Sequence, residues 1–105
     1  MSNIIILDNS NYNEITGSGV VVVDFYADWC GPCKVMAPIF KDTQAEYEGR
    51  AVFAKINVDE NKEIAISNNI MTIPTLIFFK DGKIVDRIDS GIDKRMLCRK
   101  IDALL

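Results

Sequence analysis

Two cysteines three positions apart, Cys30 and Cys33, enclose Gly31-Pro32 and follow Trp29, and no other segment of the chain has comparable chemical potential. At the start of a helix such a pair lies on one side of the first turn, where the sulfurs can bond after modest rearrangement. Met36, Ile39, Phe40, Thr43 and Tyr47 fall on one helical stripe, which predicts a helix from Pro32 to about Tyr47. Cys30 then sits at about the N-cap, where unpaired backbone N–H groups and the helix dipole favour a thiolate, the nucleophilic form of cysteine. Cys30 is therefore the candidate attacking sulfur, and Cys33, deeper in the helix, the candidate resolving sulfur. Pro32 suits the first helical turn and stiffens the loop between them.

A second feature is Asp24, a lone carboxylate within the apolar run from Val20 to Ala27. A run that is apolar on both faces reads as an inner strand, and burial there raises a carboxyl's pKa. Asp24 lies on the strand that leads into Cys30, so it is a candidate base for the Cys33 proton. Lys55, the one charge between Val52 and Val58, is its candidate partner on the neighbouring strand. The chain contains no histidine, which excludes Ser-His and Cys-His pairs, H-E-x-x-H metal sites and an imidazole switch.

The elements that must position these residues are legible along the chain. Ile4–Leu7 reads as a strand closed by the turn-rich Asp8-Asn9-Ser10-Asn11, which can cap a short helix reaching Thr16. Strands are predicted at Val20–Ala27, Val52–Val58, Thr75–Phe79 and Ile84–Ile88, with Lys80-Asp81-Gly82-Lys83 as a hairpin turn. Helices are predicted at Pro32–Tyr47, kinked by Pro38 and ended by Gly49, at Lys62–Asn69, and from an Asp93 cap through Leu97, Ile101 and Leu104. Strands alternating with helices and finishing in a hairpin indicate an α/β sandwich around a mixed sheet. The 105 residues, 49% hydrophobic and 26% charged, suit one domain spanning 1–105.

Composition also narrows the partners. The net charge is −3, from 12 Lys and Arg against 15 Asp and Glu, with no basic cluster of the kind nucleic acid requires. Apolar runs such as Ile4–Leu7 and Val20–Val23 are far shorter than the roughly 18 residues of a spanning helix. The opening Met-Ser-Asn lacks the basic start of a signal peptide, so the expectation is a protein of the reducing cytosol, where cysteines are catalytic or metal-binding instead of structural. Three cysteines without histidine fall short of the four ligands of structural zinc, so no metal is expected. Cys98 reads as a packing residue of the last helix. Gly17-Ser18-Gly19 is a turn, and Asp59-Glu60-Asn61 is better read as helix capping than as a calcium loop, because Ile64 replaces the glycine such a loop needs.

The run Val23-Asp24-Phe25-Tyr26-Ala27-Asp28-Trp29-Cys30-Gly31-Pro32-Cys33-Lys34, followed by Ala37-Pro38, resembles the active-site signature of the thioredoxin family. Lys55, Asn57-Val58-Asp59, Ile73-Pro74-Thr75 and Lys80-Asp81-Gly82 extend the resemblance over essentially the whole chain. It implies a thioredoxin fold, a three-layer α/β/α sandwich with a central mixed five-stranded sheet and about four helices. It also implies a general protein-disulfide reductase that acts as a monomer without a bound cofactor. A thioredoxin reductase, a flavoprotein linked to NADPH or ferredoxin, would restore its dithiol, and its clients would be disulfide-containing proteins. The resemblance makes Cys30, Cys33, Asp24 and Lys55 the catalytic set, with Trp29, Gly31, Pro32, Ile73, Pro74 and Gly91 facing the substrate. Pro74 would be cis, with the Ile73 backbone pairing with the client. Two departures bear on partner choice: Thr72 stands where the family has a small Gly or Ser, and Asp89-Ser90 precedes Gly91 where an apolar residue is usual. An oxidase or isomerase would need an oxidising compartment and fits Gly-Pro between the cysteines less well. A binding role in which the thiols matter little is the third reading.

Overall fold

The computed structural model describes residues 3–105, and in it the Val20-Val21-Val22-Val23 run lies at the centre of a sheet. The elements in chain order are β1 (Ile5–Ile6), α1 (Tyr12–Thr16), β2 (Val20–Tyr26), α2 (Gly31–Glu46), β3 (Val52–Asn57), α3 (Lys62–Ser67), β4 (Thr75–Lys80), β5 (Lys83–Ile88) and α4 (Lys94–Asp102). The strand order is β1-β3-β2-β4-β5, with β2 parallel to β3 and antiparallel to β4. With a neighbour on each edge and helices on both faces, β2 has no solvent side, which is why its sequence does not alternate.

Side chains of β2 still alternate between the two layers, and this alternation places the carboxylate. Val21, Val23 and Phe25 join Ile64 of α3 in one core, against which Tyr12 and Ile15 of α1 also pack. Val22 joins Met36 and Phe40 of α2 and Leu97 and Ile101 of α4 in the other. Asp24, two residues beyond Val22, shares the α2 face of the sheet. Phe40 and Tyr47 close over Phe53 of β3, with ring centroids 5.0 and 6.4 Å apart respectively.

Most predicted elements are present, with shifted ends. The Ile4–Leu7 strand contracts to two paired residues, Ile5 and Ile6, because Asp8 begins a turn in which its carboxylate accepts from Ser10 N–H at 2.8 Å. The helix predicted at Lys62–Asn69 ends at Ser67, and Asn69 takes a left-handed conformation with φ 53°. Pro38 lies within α2, and the helix is continuous on both sides of it. Asn61 precedes α3 without a side-chain cap: its amide turns back to the Asn57 carbonyl at 3.0 Å, so the predicted capping does not form. Asp93 caps α4 as predicted, accepting from Met96 N–H at 2.8 Å. The β4–β5 ladder carries an irregularity at Phe78/Phe79 that no local pattern announced. No described helix is long and apolar enough to cross a membrane.

Candidate active site

The C-terminal end of β2 delivers Asp28-Trp29-Cys30 to the start of α2. Cys30 is the N-cap residue of α2, with extended backbone, and its sulfur accepts from the Cys33 N–H at 3.2 Å. Its sulfur thus accepts an N–H that would otherwise lack a partner in the first helical turn, the place where a thiolate's charge is best accommodated. Cys30 and Cys33 are joined as a disulfide with Cα atoms 5.3 Å apart, and the residues are only 3% and 5% exposed. Ala27 shares their small core, with Tyr26, Val58 and Ile73 packed against it.

The Ile73–Pro74 bond is cis, and the Ile73 carbonyl oxygen lies 3.7 Å from Cys30 Sγ. Trp29, Cys30, Gly31 and Pro32 face Met71, Thr72 and Ile73 across a depression of about 360 Å³. A second, mainly apolar depression of about 590 Å³ begins on the other side of Pro32 and includes Val35, Ile39, Gly91 and Ile92. A Cβ at Gly91 would meet Pro74 Cγ at 3.7 Å and Met36 Sδ at 3.9 Å, which are ordinary contacts, so packing alone does not require glycine there.

Asp24 is 1% exposed and its Oδ1 has no hydrogen-bond partner. Burial pushes its pKa up to about 7, with the Lys55 charge pulling against that rise. The two residues are register partners on β2 and β3. They do not form an ion pair: the Lys55 ammonium lies over the Tyr26 ring, 4.3 Å from its centroid. Lys55 and Cys33 both line one recess of about 170 Å³, which Asp24 does not reach.

The structure adds residues that local reading missed. Trp29 is 70% exposed, yet its indole N–H donates to Asp59 Oδ2 at 2.8 Å, which fixes the ring beside the disulfide. Asp59 is held in turn through its N–H, which donates to Asn57 Oδ1 at 2.9 Å. The Asn57-Val58-Asp59 string was visible in the sequence, but its link to Trp29 spans 30 residues. Thr72 belongs to the depression, and its carbonyl accepts from Thr75 Oγ1 at 2.7 Å. Cys98 is a free, half-buried cysteine of α4, packed against the α2 core layer and remote in sequence from the pair. Among the described residues no three Cys, Asp or Glu side chains converge as metal ligands.

Comparison with known proteins agrees with this geometry. The thioredoxin family model matches residues 3–103. A thioredoxin of Staphylococcus haemolyticus is 43% identical over 99 residues, covering 94% of this chain and 95% of the relative. A thioredoxin of Chlorobaculum thiosulfatiphilum is 44% identical over 96 residues, covering 90% and 89% respectively. Among solved structures, Malassezia sympodialis thioredoxin superposes with a TM-score of 0.88 at 33% identity, over 99% of this chain and 92% of that one. Thioredoxins work with thioredoxin reductase and disulfide clients, and the bonded pair at the start of α2 equips this chain for the same dithiol–disulfide oxidoreduction. Fold, cysteine pair and near end-to-end similarity agree that this chain belongs to the thioredoxin family.

Proposed function

We propose that this chain, acting as a single domain of residues 1–105, is a general protein-disulfide reductase of the cytosol. The observation that carries the reading is Cys30 at the N-cap of α2, its sulfur met by the Cys33 N–H and bordered by the Ile73 carbonyl. Cys30 thiolate attacks one sulfur of a client disulfide; that S–S bond breaks, and the first client thiolate leaves with its electron pair. Cys33 gives its proton to Asp24, whose pKa near 7 suits acceptance at neutral pH, and attacks Cys30 Sγ. The second client thiolate leaves, and the two electrons now reside on the client. The protein is left with the Cys30–Cys33 disulfide, the oxidised state described above.

Lys55 assists by moderating the pKa of Asp24. Trp29, Gly31, Pro32, Ile73, Pro74 and Gly91 form the surface on which the client lies, with its backbone paired along Ile73; backbone pairing is indifferent to side-chain sequence and suits many clients. The sulfurs carry the electrons, so no bound cofactor takes part. A thioredoxin reductase, a flavoprotein drawing on NADPH or ferredoxin, restores the dithiol.

The test is to supply reduced protein to insulin disulfides and compare Cys30→Ser with Cys33→Ser. Loss of all turnover in the first and a trapped mixed disulfide in the second are expected. Full turnover by Cys30→Ser would refute the mechanism. A Cys30→Ser protein that loses turnover yet still supports a partner's activity would favour a binding role.

A further inference from the structure

Arg87 stands on the edge strand β5, and its guanidinium bonds to two separate segments. Nη1 donates to the Asn68 carbonyl and Nη2 to the Asn69 carbonyl, the latter at 2.6 Å. These carbonyls lie at the C-terminal end of α3, where helix oxygens have no partners within the helix. Nε donates to Asp89 Oδ1 at 2.8 Å. The same Asp89 oxygen lies 3.4 Å from Thr75 Oγ1, whose hydroxyl donates to the Thr72 carbonyl. One side chain therefore ties the segment running from Asn68 to Ile73 to the segment running from Asp89 to Gly91. Those are the two stretches that flank Pro74, with Gly91 against the Pro74 ring.

At its α3 end the first stretch is also held by the Ile70 N–H, which donates to the Ala65 carbonyl at 3.0 Å, and by Asn68 Nδ2, which donates to Tyr12 Oη at 3.1 Å, but beyond Ile70 it runs free of regular structure. Residues 71–74 belong to no helix or strand, and Met71 is 90% exposed. Arg87 adds its bonds where the stretch leaves α3, Thr75 bonds it where it enters β4, and Ile73 packs against the cysteine core between them. Yet it must present the Ile73 backbone to within 3.7 Å of Cys30 Sγ. A rim held in its binding geometry spares the client the cost of ordering it, so its loss weakens binding. We propose that Arg87 is a positioning residue for capture of extended, disulfide-bearing polypeptide, acting through Asn68, Asn69 and Asp89 on the Ile73 rim. The proposal rests on the reductase reading and names a determinant of client binding within it. Three donors in one planar fork are needed, so lysine does not replace this arginine.

The experiment compares two substrates of each reduced protein: insulin, whose chain can lie along Ile73, and 5,5′-dithiobis(2-nitrobenzoate), a small disulfide with no backbone to pair. For Arg87→Met, KM for insulin is expected to rise about tenfold with kcat held within about twofold, about 1.4 kcal/mol of lost binding. The kcat/KM for insulin then falls at least about five times more than that for the small disulfide. Arg87→Lys behaves like Arg87→Met. Asp89→Ala, which leaves Nε without its acceptor, shifts the same preference in the same direction by a smaller factor, and if Arg87→Met does not fold, an unshifted preference in Asp89→Ala overturns the proposal. Equal losses on both substrates, a loss in kcat alone, rescue by lysine or no change would each overturn the proposal. Wild-type protein inactive on insulin would instead overturn the reductase reading, and the Arg87 proposal with it.

Discussion

Asp24 carries a conflict within itself, because the burial that fits it for the proposed role of base also makes its charge costly. In an unfolded chain its carboxyl titrates near 3.9, whereas burial in the fold raises that to about 7. Below about pH 4 it is neutral in both states and exacts no cost. As pH rises from about 4 to about 7 the unfolded chain ionises freely while the folded protein holds the proton, so stability falls. Above about pH 7 the full penalty applies, at most about 4 kcal/mol for a shift of this size. Asp24→Asn is thus expected to be more stable than wild type at pH 8 by about 2 to 4 kcal/mol, with the advantage gone near pH 4. Urea unfolding at the two pH values checks this, and an advantage independent of pH would mean that the carboxyl titrates normally. The same variant should resolve mixed disulfides about 100 times more slowly at pH 7, the low end of the usual contribution of a positioned base.

The hairpin between β4 and β5 shows what an element demands of its residues. Asp81 and Gly82 both have positive φ, 50° and 86°, the backbone of a type I′ turn, whose twist matches that of the flanking strands. A Cβ on Gly82 would also lie 3.2 Å from the Gly17 carbonyl oxygen. Gly82→Ala should therefore cost about 1 to 2 kcal/mol by chemical denaturation while leaving the rate of thiol exchange unchanged, since the turn is remote from the cysteines in the fold. Asp93→Ala, which removes the α4 cap, should cost about 1 kcal/mol in the same assay. This turn and this cap were legible in the sequence because both are local: Lys80-Asp81-Gly82-Lys83 and Asp93 carry their geometry in adjacent residues. The cysteine pair and Asp24 were legible for the same reason, as a spacing of three and a charge inside an apolar run. The Trp29–Asp59 and Arg87–Asn68 bonds join residues 30 and 19 positions apart, and only the order of strands in the sheet brings those partners together. β1 was over-read because an apolar run marks burial, whereas the strand stops where the chain turns at Asp8, although β3 continues alongside.

At the scale of the whole molecule, a redox carrier must keep one fold through both states of its sulfurs. The two apolar layers meet that requirement: central strands β2, β3 and β4 bury Val22, Phe53, Leu76 and Phe78 against α2 and α4, and Val23, Ile56 and Ile77 on the opposite face. None of this core is made by the disulfide. Cys30 and Cys33 are three residues apart, so their bond closes a loop of four residues and removes little entropy from the unfolded chain. The loop-entropy relation gives about 2 kcal/mol for so short a loop, against a typical domain stability of about 5 to 15 kcal/mol. Reduction is therefore expected to lower unfolding stability by about 2 kcal/mol with an unchanged denaturant slope, because the surface exposed on unfolding stays the same. Guanidinium unfolding of the oxidised and the dithiothreitol-reduced protein measures both quantities. A loss of most of the stability on reduction would make the disulfide a structural staple, and a molecule that unfolds whenever it is reduced cannot hold Cys30 at the helix N-cap from which it is proposed to attack.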